Sequence, residues 1–396
     1  YFLSKLILEN PVHQAIFIFL FGILPPSIKI SILGMEYGIL FFLEMALLYF
    51  GFKQNKIWAQ ILFPILILFT RIDTVIFLGI VFLVDIIWNK KVRWFYILGG
   101  MLGVAVLMSF NWFYFGELVN NTIVAKSVTY AKNMSLALQW KYFLMNYGNF
   151  WGMLKLPGDF NPFTILVLVF ELLAFLYIVS KRESKNLFIW IIFLFGWTKQ
   201  LIFISQRSYF DWYYWVPQIL LFAVILVFVL EQKTYKFWWI SLLIIFYILP
   251  MAAFQTIHSI ATGNGEWNYR RSIGLFLKDY EKDKNQYILL EPAGYIPYFS
   301  GLKAIDEVGL VDKEIQAEIK KDKANYWKNT VEKRKPKYLL APKDLFEGKD
   351  GSFYQENYQL LKEFRIKNHL NSDNKILEKI YRLKPSGTDY NLYERK

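Results

Sequence analysis

Cysteine is missing from the chain altogether, and histidine occurs three times, at His13, His258 and His369. The first absence excludes disulfides and thiolate metal sites, although it names no compartment. The scattered histidines leave no metal-ligand spacing of the HExxH kind. A Gly-rich phosphate loop and a GxSxG elbow are also lacking, so nothing supports an enzyme acting on a soluble nucleotide. There is no internal repeat and no low-complexity segment. Charge is scarce over two-thirds of the length. Residues 1–263 hold 19 Lys and Arg with 11 Asp and Glu, whereas residues 264–396 hold 26 and 21.

What is abundant is apolar surface: 55% of residues are hydrophobic and 19% aromatic, with a mean hydropathy of +0.28. The expectation is a mainly α, polytopic transmembrane helix bundle over residues 1–263, followed by a soluble α/β domain over residues 264–396. The second part, about 130 residues, is long enough for its own core. The net charge of +13 divides into +8 and +5 between them. In the apolar part such an excess orients helices, so it is not read as a nucleic-acid signal.

Apolar runs suggest about nine spans after a helix remnant at residues 1–8. They fall near 12–30, 36–52, 57–70, 74–88, 94–110, 162–180, 186–205, 216–230 and 236–254, with a long outer segment at 111–161. Pro25 and Pro26 should make one end of the first irregular. Basic connections at Lys53/Lys56, Lys90/Lys91/Arg93, Lys181/Arg182/Lys185 and Lys233/Lys236 alternate onto one side. By the positive-inside rule that side is cytoplasmic, which puts the C-terminal domain outside the bacterial cytoplasmic membrane.

One stretch conflicts with a simple span. ILILFTRIDTVIFLGIVFLV (65–84) carries Arg71 and Asp73 at its middle, where a charge costs at least ~2.5 kcal/mol on insertion scales. Since Lys56 and Lys90 belong to the same side, the chain must go out and return between them. Arg71 and Asp73 then form the turn of a helical hairpin. Fifteen residues from Lys56 give ~22 Å of helix against a hydrocarbon core of ~30 Å, so the turn sits recessed below the outer surface. Either the pair simply caps its own turn, or it is functional, as intramembrane ionisable residues are by default.

Other outer connections add candidates. Glu36 opens a helix, where the dipole favours an acid. The segment NWFYFGELVNNTIVAKS brings Trp112, Tyr114, Asn121 and Lys126, of which the two aromatics fit an interfacial belt. SQRSYFDWYYWVPQ brings Arg207, Asp211 and Tyr213. Glu44 and Glu171 fall mid-span; they read as bundle-facing acids hydrogen-bonded to Tyr, Trp or backbone, with an ion path as the alternative. In the C-terminal part, QYILLEP (286–292), KAIDEVG (303–309) and PKYLLAP (336–342) read as short strands, with helical spacing over 267–281 and 312–328, hence a compact mixed sheet.

Four motifs in this order resemble a known family: GME (34–36), TRID (70–73), YFGELVNNTIVAK (114–126) and AGYIPYFSGLKAIDEVGLVD (293–312). The chain resembles the polytopic C-superfamily (GT-C fold) glycosyltransferases, and among them relatives of the mycobacterial terminal arabinofuranosyltransferase. Those typically show GLE or GME, RPD, a YYGxxxPNTxxAK-like and a GxIxYYSxxxxIDxxGLxD-like segment. Ile72 stands where Pro is usual, and Asn120 where Pro precedes Asn-Thr. The resemblance implies transfer of a sugar from a polyprenyl-phosphate donor to an extracytoplasmic cell-envelope glycan or glycolipid. It further implies donor-phosphate contacts from Arg71, Lys126 and Arg207, and substrate contacts from Asn121, Asp211, Tyr213 and Asp306. The family's catalytic acid belongs to a first outer loop, which would lie upstream of Tyr1. The sequence, which opens YFLSKLILEN, is accordingly read as a fragment without activity of its own, with Asp73 and Glu36 as supporting residues. No cofactor is implied; a divalent metal is compatible, but no ligand set is visible. The alternative class is a multispan transporter or flippase of envelope precursors with a C-terminal partner-binding domain. Against it stand the lack of repeat symmetry and of paired broken spans.

Overall fold

The computed structural model describes residues 1–24, 27–28, 31, 36–118, 125, 128–129, 135–150, 162–181, 183, 185–205, 211–231, 238–348, 350–370, 373–383 and 387–396. Pro25, Pro26, Arg182, Lys233 and Lys236 lie outside these residues. The chain forms two compact units: residues 1–119 with 132–256, and residues 120–131 with 257–396.

The first unit is helical. Its helices are α1 (Phe2–Ile7), α2 (Pro11–Gly22), α3 (Tyr37–Ala46), α4 (Ile57–Thr70), α5 (Val75–Asn89) and α6 (Trp94–Phe115). They continue as α7 (Leu136–Phe150), α8 (Pro162–Ser180), α9 (Asn186–Ser205), α10 (Asp211–Leu230) and α11 (Trp238–Asn264), of which residues 257–264 belong to the second unit. A π-helical turn, Leu47–Lys53, extends α3. Each expected span is overlain by a helix. Among the described residues, four stretches combine the length and apolarity needed to cross a membrane: Ile72–Asn89, Trp94–Phe115, Asn186–Ile204 and Tyr213–Leu230. Pro11–Gly22, Ile57–Thr70 and Thr164–Ser180 are apolar but shorter. The expected outer segment 111–161 is partly helical. α6 runs on to Phe115, where Gly116 ends it in the left-handed region at φ 71°. α7 then buries Phe143 and Tyr147 against Phe203, Ile204, Tyr213 and Tyr214.

Two contacts explain how the chain folds around residues 71–74. Arg93, just before α6, donates a hydrogen bond to Asn55, just before α4. The chain therefore returns to its starting end over α5, which makes α4 and α5 an out-and-back pair. α6 then runs parallel to α4 and packs closely on it. A Cβ on Gly99 would lie 2.6 Å from the carbonyl oxygens of Gln60 and Ile61, and one on Gly103 3.0 Å from Ile65 Cα. This small-xxx-small spacing lets two backbones approach, as in membrane helix pairs. Most other side chains of α6 point outward; its buried residues are Tyr96, Gly99, Gly103 and Asn111. α9 meets α10 in the same way, Gly196 facing Leu221 and the Pro217 carbonyl.

The second unit is α/β. Its elements are α12 (Arg271–Tyr280), β1 (Tyr287–Leu290), α13 (Tyr295–Ser300), β2 (Lys303–Asp306), α14 (Lys313–Lys321) and α15 (Tyr326–Arg334). They end with β3 (Tyr338–Ala341), α16 (Gly351–Asn357), β4 (Tyr358–Phe364), α17 (Lys375–Leu383) and β5 (Tyr390–Arg395). The five strands form one mixed sheet in the order β2-β1-β3-β5-β4. β1 pairs in parallel with β2 and β3, while β5 is antiparallel to β3 and β4. Alternate residues feed two cores, as a pleated strand requires. Ile288, Leu290, Tyr338 and Leu340 pack with Ile273 and Leu277 of α12. Leu289, Ile305 and Leu339 pack with Ile315 and Ile319 of α14. Residues 128–129 belong here too: Thr129 donates to the Val308 carbonyl at 2.9 Å, and Lys323 to that of Thr129 at 2.7 Å.

Candidate functional site: a charged cluster at the 71–74 turn

α4 stops at Thr70 because Arg71 takes an extended conformation (φ −157°, ψ 127°) while its amide still donates to Ile67. A 3-10 turn over Ile72–Thr74 restarts the chain. Thr74, fully buried, ties the turn down by donating its hydroxyl to the Arg71 carbonyl. This geometry sends the Arg71 side chain back into the helical unit.

There Arg71 meets two acids and two aromatic faces. Its Nε donates to Asp73 Oδ1 at 2.8 Å, and an Nη donates to Glu36. Its guanidinium carbon lies 4.7 Å from the Tyr37 ring centre and 5.1 Å from that of Tyr213. Planar, weakly hydrated guanidinium suits such stacking better than an ammonium would. Tyr213 is itself stacked on Phe203 at 4.5 Å. Asp73 has a second cation: Lys199 Nζ stands 3.3 Å from Oδ2. Lys199 is completely buried, with its ammonium 5.5 Å from the Phe195 ring and 5.9 Å from Phe203. Two turns below Glu36 on α3 sits Glu44, also completely buried, within the field of Lys199, Asp73 and Arg71. Among the described residues, neither of its oxygens has a hydrogen-bond partner.

Five charged side chains from three places in the sequence thus form a row that leads inward. Glu36 is the outermost, its side chain 37% exposed, against 13% for Arg71, 17% for Asp73 and 0% for Lys199. Chemically, the row offers a cationic fork with aromatic walls, backed by buried groups that hold it in place. Such a fork matches carboxylate or phosphate.

Of the residues expected from sequence, Glu36, Arg71, Asp73 and Tyr213 come together. Lys126, Asn121 and Arg207 lie outside the described residues, as does the side chain of Asp211. Asp306 belongs to the second unit, at the end of β2. Its carboxylate accepts from the Val308 and Val311 amides, both at 3.1 Å, and so shapes the following turn. Next to it, burial pushes Glu307 up to about 7, although the Trp327 indole donates to it at 3.0 Å. Glu171 faces the interior and accepts from Tyr147, as expected for a bundle-facing acid. Glu44 faces inward too, but beside a lysine and without the expected hydrogen bond. Lys199 and Tyr37 were not singled out from sequence. Lys199 carried the same signal as Arg71, a lone cation inside an apolar run. Among the described residues, no group of three or more His, Asp or Glu is placed to hold a metal ion.

Residues 256–393 match the model of a family described as a domain of unknown function (DUF8728). No curated protein and no solved structure matches the chain.

Proposed function

We propose that this protein is a membrane glycosyltransferase of the GT-C type. It would transfer a sugar from a polyprenyl-phosphate donor to a glycan or glycolipid on the outer side of the bacterial cytoplasmic membrane. The observation that carries the reading is Arg71, a guanidinium fork held at the turn of an apolar helical hairpin. A lipid-linked phosphate lies at that depth, with its chain in hydrocarbon and its charge near the headgroups. In the reaction the acceptor oxygen bonds to the anomeric carbon, the sugar–phosphate bond breaks, and the acceptor proton passes to a base. Negative charge grows on the leaving phosphate, where Arg71 stabilises it. Asp73 and Glu36 both pair with Arg71, which suits them to orient it rather than to take the proton. Tyr37 and Tyr213 fix the plane of the fork.

Radiolabelled sugar supplied on polyprenyl phosphate, to membranes expressing the complete gene, should appear in a lipid-linked or polymeric product. Arg71→Lys should lower the rate by roughly tenfold or more, because one ammonium does not reproduce the fork, and Arg71→Ala should lower it further. Unchanged incorporation in both variants at equal expression would overturn the role of Arg71. Buried Glu44 and Lys199 favour a second reading, a transporter or flippase of lipid-linked precursors. Movement of labelled lipid across the membrane without sugar transfer would select it.

A further inference from the structure

The phosphate-binding fork already holds an anion of the protein's own. Glu36 stands at the N-terminal end of α3, where an acid ordinarily caps the first amides, yet it makes no capping hydrogen bond. Its carboxylate reaches to Arg71 instead. The two acids on Arg71 are held differently. Asp73 is anchored twice, by Arg71 and by fully buried Lys199. Glu36 has Arg71 as the hydrogen-bond partner of its carboxylate, and it is the most exposed of the three. An anion arriving from outside therefore displaces Glu36 first and leaves Asp73 in place. Carboxylate and phosphate present the same spacing of oxygens to a guanidinium, so the exchange needs no rebuilding of the fork.

Charge sets a condition on what enters. The row holds three acids, Glu36, Asp73 and Glu44, against two bases, Arg71 and Lys199. When Glu36 swings out to solvent and one negative charge takes its place, the charge of the enclosed part is unchanged. A doubly charged ligand adds an uncompensated charge where water is scarce, and such charges are costly there.

We propose that Glu36 is a specificity-determining residue: a singly charged phosphodiester replaces its carboxylate on Arg71, and this one-for-one exchange disfavours a doubly charged phosphate monoester. The inference rests on reading Arg71 as a phosphate-binding residue. For a sugar transferase it separates donor from product, since the donor is a diester and the lipid left behind is a monoester. The same exchange that admits the donor then helps expel the product.

The test is equilibrium binding to the full-length protein in nanodiscs at about pH 8, above the second phosphate pKa of about 6. The probes are a polyprenyl phosphodiester of a hexose, the matching polyprenyl monophosphate, and inorganic phosphate. Wild type should prefer the diester by roughly tenfold. Glu36→Gln and Glu36→Ser, which both remove the competing charge, should bind both lipids more tightly. In wild type the displaced Glu36 carboxylate stays tethered beside the fork and repels two ligand charges more than one, so its removal should help the monoester more and shrink the preference to about twofold or less. Wild-type affinities and preference in both variants, with unchanged thermal midpoints, would overturn the role of Glu36 while leaving the phosphate site standing. Failure of wild type to bind any probe would overturn the phosphate site and this inference together. Inorganic phosphate, itself doubly charged at this pH, binding as tightly as the diester would overturn both the lipid source of the ligand and the charge-matched exchange.

Discussion

Lys199 is the residue on which the order of the cluster depends. Its ammonium is buried among Phe195, Phe203 and the Asp73 carboxylate, so its desolvation is offset chiefly by that pairing. Replacing Lys199 by Met keeps the length and apolar stem but leaves two buried acids facing each other with Arg71 alone. Breaking a buried pair in this way typically costs about 3–5 kcal/mol. Lys199→Met should therefore lower the thermal midpoint clearly and reduce activity with it. Adding Glu44→Gln should restore part of the lost stability, because an amide needs no countercharge. A double variant no more stable than Lys199→Met would show that Glu44 does not feel Lys199. At this scale the sequence spoke unevenly. Arg71 and Asp73 announced themselves by interrupting an apolar run, and Glu36 by its place at a helix start. Lys199 gave the same kind of signal in GWTKQLIF, but pairing it with Asp73 needed the packing of α9 on α5, which no local pattern encodes.

Among elements, the closest contact in the helical unit is between α4 and α6, and it tests itself against a neighbour. Gly99 points its missing side chain at two carbonyl oxygens of α4, 2.6 Å from where a Cβ would stand, and backbone cannot move aside cheaply. Gly100, one residue on, has no atom within 4 Å. Gly99→Ala should therefore destabilise by about 1–3 kcal/mol, the usual cost of overpacking. Gly100→Ala should be neutral or stabilise by a few tenths of a kcal/mol through its better helix propensity. Thermal unfolding of the purified protein in one detergent compares the two directly, and equal midpoints would mean that α6 does not pack on α4 through this face. Helices were the most legible feature of the chain, because apolar runs of this length have few other uses. β1, β2 and β3 were legible as well, each a short apolar run between turn residues. β4 and β5 were not: YQLLKEF and YNLYER mix apolar with polar and charged residues, and their assignment rests on pairing, β5 with β3 across more than fifty residues and β4 with β5. α7 was hidden by its polar content, since Gln139, Lys141 and Asn146 make Leu136–Phe150 look like a connection.

At the scale of the whole molecule, the basic connections set the side of the membrane on which the second unit is expected. Two contacts bear on it. Arg93 bonded to Asn55 brings the Lys53/Lys56 and Lys90/Lys91/Arg93 connections to one end of their helices. Lys185 paired with Glu231 brings the Lys181–Lys185 connection to the end of α10, where the next basic connection begins. The first two basic segments thus adjoin, and Lys185 of the third lies at the end of α10, an arrangement that a shared side requires. From Glu231 the chain passes through one further apolar helix, α11, before the α/β fold begins. If the basic connections are cytoplasmic, a single passage from them ends outside. A phosphatase fused after Lys396 should therefore be active in intact cells, and a cytoplasmic fluorescent reporter at the same position should stay dark. Bright fluorescence with an inactive phosphatase would place the α/β unit in the cytoplasm. It would also move the 71–74 turn to the inner face, away from any extracytoplasmic acceptor, and the proposed transfer reaction would fall with it.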